Sequence, residues 1–429
     1  MTSNPTGGYR CPQKPGCTAR THAAQLRAHY KRFHHPIAQA IADKIDIKRR
    51  AAMTFNFKFA IVSDLHIALP HTIWDAPNRF HLVEVSIPAF EQILSQLIAD
   101  RPDFLLLPGD LVQHGERDNH EWLASRLAEL PFPTYVVPGN HDVVWETGNL
   151  PGDESGTCRI AIADFPKIYR QHGYANATGL DYQQEILPGV HLIGLNSNAF
   201  DESGKPIWTG VINKTQLAWL DEQLAALKGK FVMVMVHHNV LEHLPGQSKN
   251  KLGQRYMIRN APALVERLQA ASVPVAFTGH LHVQDIAQSD NFYAITTGSL
   301  VSYPHPYRLM SVTTNELGQH LLSVKSRRIE AVTDWPTLQQ TSKDWMDDRA
   351  FPFIVKLLTD PPLSLAPKQA VKYAPHIKHF WSSVAAGDAL FDYPQLPTEV
   401  QAYFRQYDAV DANGQPRLID NNAVLTLAS

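Results

Sequence analysis

Cysteine is nearly absent from this chain: Cys11, Cys17 and Cys158 are the only three in 429 residues. Three thiols build no disulfide framework, and the expected setting is a reducing cytoplasm. No apolar run approaches the roughly 18 uninterrupted residues that cross a bilayer, so no membrane span is expected. The N-terminus carries no apolar stretch of the kind that heads a secretory signal. No internal repeat stands out. Acidic side chains are missing from the first 42 positions, and residues 1–52 hold ten Lys/Arg against two Asp/Glu. With a net charge of −2 overall, the rest of the chain is acidic. A basic arm on an acidic body predicts either contact with an acidic partner such as nucleic acid or a solvated tail. With 44% apolar and 19% charged residues, the remainder reads as a folded globular protein large enough for a sizeable core.

From Phe55 onward, short apolar runs alternate with amphipathic stretches. Strands are predicted at about 57–63, 103–107, 133–137, 182–187, 190–195, 231–236, 273–278, 292–297, 308–314 and 319–325. Helices are predicted at 83–99, 119–129, 159–171, 214–227 and 261–270, with a long polar loop over 241–256. The alternation implies an α/β fold, and the adjacent late strands imply a mixed sheet. Residues 330–429 change character, with Trp-bearing amphipathic stretches and a Pro-rich middle. They are expected to form a mainly helical attachment. The division is therefore an arm at 1–52, an α/β domain at 53–329 and a C-terminal region at 330–429.

Five apolar runs each stop on residues that can hold a metal ion. FAIVSDLH ends on Asp64 and His66, FLLLPGD on Asp110, and TYVVPGNHD on Asn140, His141 and Asp142. FVMVMVHH ends on His237 and His238, and VPVAFTGHLH on His280 and His282. Ligands gather outside the carboxyl ends of strands in open α/β sheets, so these donors are expected to meet in one polar site. Asp64 and His66 stand two apart and would share a face if the strand continued. Gly109 permits a sharp turn before Asp110, whose two oxygens can bridge two cations. Nitrogen and oxygen donors without thiolates suit Mn, Fe, Zn or Co rather than calcium or an iron–sulfur cluster.

The ordered blocks Asp64-Leu65-His66, Gly109-Asp110, Gly139-Asn140-His141-Asp142, His237-His238 and Gly279-His280-Leu281-His282 resemble the calcineurin-like metallophosphoesterase superfamily. The resemblance spans roughly residues 57–325. It implies a two-sheet sandwich flanked by helices and a dinuclear site that hydrolyses phosphoesters with a metal-bridging hydroxide. Asp64, His66, Asp110 and His282 would hold the first ion, with Asp110 bridging to a second held by Asn140, His237 and His280. His141 would remain unligated as the catalytic group, donating a proton to the leaving oxygen or stabilising transition-state charge. An ordinary histidine pKa of about 6.5 suits that work. Asp142 is left outside the ligand set, as an orienting or turn-capping residue.

Gly109-Asp110-Leu111-Val112-Gln113-His114-Gly115 lacks the Asp and Arg of the protein phosphatase block GDxVDRG, and Gln113 replaces the tyrosine ligand of purple acid phosphatases. The pattern is similar to bacterial cyclic-nucleotide phosphodiesterases, glycerophosphodiesterases and SbcD-type nucleases. The leading expectation is a small-molecule phosphodiester such as a 3′,5′-cyclic nucleotide. The alternatives are a nuclease acting on DNA ends or single strands and, more remotely, a non-enzymatic scaffold. Further substrate contacts are expected among His71, Arg79, His114 and Tyr303. In the arm, Cys11, Cys17, His29 and His34 resemble a degenerate C2H2 zinc finger, with spacing C-x5-C-x11-H-x4-H. Met53 is the competing candidate for the true start.

Overall fold

Strands form where the short apolar runs lie, and they divide between two sheets. The computed structural model describes residues 54–73, 79–149, 157–177, 179–410, 413–415 and 417–427. By internal contacts the chain separates into Met1–Thr54 and Phe55–Ser429. The basic arm with Cys11, Cys17, His29, His34 and Met53 lies outside the described residues, as does the stretch 150–156.

The first sheet contains β1 (Asn56–Ile61), β2 (Phe104–Leu107) and β3 (Thr134–Val136). The second contains β4 (Tyr182–Leu187), β5 (Val190–Leu195), β6 (Phe231–Val236), β7 (Val275–Thr278), β8 (Asp285–Ser289) and β9 (Phe292–Thr296). The chain then returns to the first sheet with β10 (Pro306–Thr314), β11 (His320–Arg328) and, far later, β12 (Asn422–Leu427). The strand orders are β12-β11-β10-β1-β2-β3 and β8-β9-β7-β6-β5-β4.

β1, β2 and β3 run parallel, as do β5, β6, β7 and β9. Antiparallel strands flank each parallel block. The two sheets meet face to face, and helices cover the other face of the second, so its central strands are apolar on both faces. Every residue of β2, β5, β6, β7 and β9 is buried, which is why these runs read as continuous rather than alternating. Between the sheets, the Phe59 ring stacks on Phe104 at 5.0 Å and meets Phe277 of the second sheet edge-on at 5.5 Å. Truncating such a fully buried ring costs about 3–5 kcal/mol.

Helix α1 (Ser86–Asp100) buries Ala89, Phe90, Ile93, Leu94 and Leu97 along one stripe. Arg101 ends it in a left-handed conformation, with its N–H returned to the Leu97 carbonyl, and Pro102 prevents continuation. α2 (Arg117–Ala128) follows β2. α3 (Lys214–Ala226) starts with a reciprocal cap between Asn213 and Gln216 and packs with α4 (Ala261–Ala270) on the second sheet through Leu220, Leu224, Leu264 and Leu268.

The C-terminal region supplies α5 (Leu338–Thr359), α6 (Pro367–Tyr373), α7 (Phe380–Ala386) and α8 (Thr398–Arg405). In α5, Met346, Ala350, Ile354 and Leu358 recur every four residues on the buried face. Three of them join Ile377, Phe380 and Phe404 in one core, which also takes in Leu281 and Val283. Those two residues alternate with His280 and His282. The helical layer therefore packs directly beneath the loop that carries two candidate ligands.

Three expectations needed revision. The helix predicted at 159–171 is broken into short turns, because Pro166 allows only a start and Gly173 takes φ +116°. The 241–256 loop contains a helical turn at Lys251–Gln254, capped by Asn250. β8 and β12 are edge strands that were not expected, β8 because its residues are largely polar and β12 because it follows the whole helical region.

Candidate metal centre

β1 and β2 of one sheet, and β6 and β7 of the other, stop at a common edge, and the loops beyond them converge. The strand does not continue through Asp64 and His66: β1 ends at Ile61, and the two residues take φ +50° and +43°. Asp110, His280 and His282 follow at +48°, +68° and +59°. Left-handed backbone at a non-glycine residue is uncommon and costs on the order of 1–3 kcal/mol. Five such residues meeting at one point mark a site where geometry outranks local stability. The strain is held by backbone bonds between the loops: Asp64 N–H donates to Gly109 O at 3.2 Å and His66 N–H to Asp110 O at 2.9 Å.

Two sets of donor atoms result, each lying within 4.8 Å of one another: Asp64, His66, Asp110 and His282, and then Asp110, His237 and His280. Asp110 belongs to both. Its Oδ2 lies 3.8 Å from His66 Nε2 and 3.3 Å from His237 Nε2, and His282 Nε2 lies 3.1 Å from Asp64 Oδ1. Asn140 reaches the second set, with Oδ1 at 3.2 Å from His237 Nε2. His238, the neighbour of His237, turns instead to the Ser197 hydroxyl at 2.7 Å.

The residues fit a pair of metal ions. His66 is fully buried, yet neither ring nitrogen has a hydrogen-bond partner among the described residues. A buried polar group left unpaired is costly, and a cation would satisfy it. Burial, then the neighbouring His81 and His141, hold the His66 pKa well below its ordinary value, which keeps the imidazole neutral and able to ligate. Burial alone would raise Asp110, but His237 and His141 hold it well below the usual carboxylate range. Burial would lower His237, but the same attraction to Asp110 raises it to about 9.

Carbonyl groups set the other ring nitrogens. His237 Nδ1 donates to Pro108 O at 2.9 Å, His280 Nε2 to Arg255 O at 3.2 Å and His141 Nδ1 to Gln113 O at 2.7 Å. Each ring is left with one lone-pair nitrogen in a fixed direction. His141 is tied further, its backbone N–H donating to Asp110 Oδ1 at 2.8 Å. Asp142 is fully buried and accepts from the backbone N–H groups of Gly139 at 2.7 Å and Val112 at 2.9 Å, clamping the two loops together. Asn239 is likewise buried and bonds Thr278, Gly279 and Gln247.

His81 is a donor that the sequence does not announce. It forms a third donor set with His66 and His282, with ring centroids 4.1 and 4.8 Å away. The residue follows no apolar strand and sits in no recognisable block, so only the fold reveals it.

The site is the floor of a cavity of about 500 Å³ that Asp110, Asn140, His141, His280 and His282 help to line. Phe80, Arg255 and Tyr256 line it as well, together with Arg349, Phe353 and Trp381 of the C-terminal region. Of the further contacts anticipated, His114 lies 5.8 Å from His141 ring to ring. Arg79 pairs with Glu84, and His71 pairs with Asp118 at 3.0 Å on the surface. Neither these three nor Tyr303 lines the cavity.

The model of the calcineurin-like phosphoesterase family matches residues 57–284, more than half of the chain. The chain belongs to that family. The chain is 31% identical over 191 residues to a "Probable cyclic nucleotide phosphodiesterase" of Moraxella catarrhalis, covering 43% of this chain and 59% of that protein. It is 25% identical over 186 residues to a "Probable glycerophosphodiester phosphodiesterase" of Arcobacter nitrofigilis, covering 41% and 55% respectively. It is 21% identical over 294 residues to a 3′,5′-cyclic adenosine monophosphate phosphodiesterase of Haemophilus influenzae, covering 65% and 94%. The chain thus spans less than two thirds of the first two relatives and nearly all of the third. Among the described residues no helix is long and apolar enough to cross a membrane.

Proposed function

We propose that the chain is a dinuclear metal-dependent phosphodiesterase acting on a small diester, with a 3′,5′-cyclic nucleotide as the first candidate. The observation that carries this reading is the sharing of Asp110 by two donor sets at the floor of one cavity. Asp64, His66, Asp110 and His282 are assigned to the first ion, and Asp110, Asn140, His237 and His280 to the second. Two bound divalent ions would supply nucleophilic water at neutral pH and offset the charge on phosphorus.

The protein's own groups do the rest. Only two carboxylates, Asp64 and Asp110, enter the ligand set, so the loaded site keeps positive charge for an anionic ester. The His141 ring, held through Nδ1, offers Nε2 to the leaving oxygen at a height fixed by its backbone bond to Asp110. Left-handed loops on rigid strand ends pre-set this geometry before substrate arrives. A cavity of this size falls within the range of about 300–1,000 Å³ common for small-molecule sites, which favours a compact diester over a DNA duplex. Two of the relatives described above carry cyclic-nucleotide phosphodiesterase names.

The test is turnover of bis(p-nitrophenyl) phosphate, p-nitrophenyl phosphate and cyclic AMP by manganese-loaded protein. Diester turnover above monoester turnover, lost in His141→Ala, is expected. Monoester turnover alone would overturn the diesterase reading.

A further inference from the structure

Helix α5 does more than cover the domain. Trp345, Arg349 and Phe353 stand four residues apart and so share one face. Trp345 Nε1–H donates to Phe80 O at 3.1 Å and Arg349 Nε–H to Arg79 O at 2.9 Å. The Arg349 guanidinium lies 3.2 Å from the centroid of the Trp345 ring. The helix is thereby fastened to the backbone that leads into His81. One turn further on, Phe353 reaches the cavity and meets Trp381 of α7 edge-on, with centroids 5.0 Å apart. Tyr256, which lines the same cavity, lies 5.1 Å from the His280 ring, and the Arg255 guanidinium sits over Tyr256 at 5.1 Å and over Trp208 at 5.8 Å.

We infer that this aromatic wall, raised beside the metal centre by the C-terminal helices, is the subsite for the nucleobase of the substrate, with Phe353 and Trp381 as its stacking residues. The inference rests on the phosphodiesterase reading, which puts the phosphate on the cavity floor and leaves the organic part of the ester against the walls. Aromatic rings could equally receive a flat base or cage a quaternary ammonium group. The two guanidinium groups decide between them, because Arg255 and Arg349 line the same cavity and would repel a cationic head group. A planar, electron-rich base meets no such penalty and can stack on both ring and guanidinium.

The probe pair is 5′-AMP and ribose 5-phosphate, which differ only in the base. Each is titrated by calorimetry into the full, manganese-loaded chain, with choline phosphate as a third ligand. Stacking of a base on an aromatic side chain is worth roughly 5- to 150-fold in affinity, so 5′-AMP should bind at least about fivefold more tightly than ribose 5-phosphate. That ratio should shrink in Phe353→Leu and Trp381→Leu and persist in Trp381→Phe. Equal affinities for the two phosphates, tighter binding of choline phosphate, or a ratio unchanged in both leucine variants would overturn the inference. If the leucine variants do not fold, the comparison in the unaltered protein still decides. A base preference without diester turnover would defeat the activity reading and keep the subsite. Diester turnover without a base preference would do the reverse.

Discussion

Gly109 and His237 compete for the same space. A Cβ at position 109 would lie 2.5 Å from His237 Nδ1, and residue 109 takes φ +96°. The turn that brings Asp110 out of the first sheet therefore closes only because no side chain precedes it, and the ring it would strike is the candidate ligand offered by the second sheet. Gly109→Ala is expected to lose at least about 1–3 kcal/mol of stability from backbone strain. It should also lose the second metal ion by displacing His237. Metal analysis of the purified variant checks this, and a variant that still carried both ions would refute the steric account.

His81 supplies a nitrogen beside His66 and His282. In His81→Ala the affinity for the first ion should fall by at least about tenfold, the lower end of what changes around a metal shell cost. Binding at the second ion should change far less. Manganese titration followed by paramagnetic resonance separates the two, and unaltered affinity for both ions would remove His81 from the site.

Two buried histidines away from the candidate ligands set an acid limit on stability. His120 bonds the Asp142 carbonyl and the Tyr169 hydroxyl, each at 2.8 Å, and burial lowers its pKa to about 3. Burial likewise lowers His305 to about 4. Both folded values lie below the unfolded value of about 6.5. The unfolded chain thus takes up protons first as the pH falls. Stability is complete above about pH 6.5 and declines down to about pH 4 for His305 and about pH 3 for His120. Between about pH 7.5 and about pH 5 each should cost up to about 2 kcal/mol. Urea unfolding at the two pH values measures the loss. His120→Gln, which keeps a donor for the Asp142 carbonyl, should flatten the dependence, and a slope identical to that of the parent would contradict the assignment.

Much of the site is legible in the amino-acid sequence because each apolar run is buried on both faces and ends abruptly in a donor, as FVMVMVHH does at His237 and FLLLPGD at Asp110. Strand positions follow for the same reason. The left-handed backbone at Asp64 and His66 is not legible there, since nothing in DLH distinguishes a continued strand from two tight turns zipped to Gly109 and Asp110. His81 and the wall of Arg349, Phe353 and Trp381 are hidden for a different reason. They reach the cavity by tertiary packing across long chain separations, and their local pattern is that of an ordinary amphipathic helix or loop. β12 escapes notice because it completes the first sheet only after the whole helical layer has intervened.

The central claim is that one carboxylate serves two ions, and Asp110→Asn tests it most directly. The measurement is manganese stoichiometry together with turnover of bis(p-nitrophenyl) phosphate, for the parent and the variant side by side. The account predicts about two ions and diester turnover for the parent. In the variant both ions should bind more weakly and turnover should fall by at least about a hundredfold, the upper end of what outer-shell changes cost. Retention of both ions at parental affinity, with turnover undiminished, would contradict a shared Asp110.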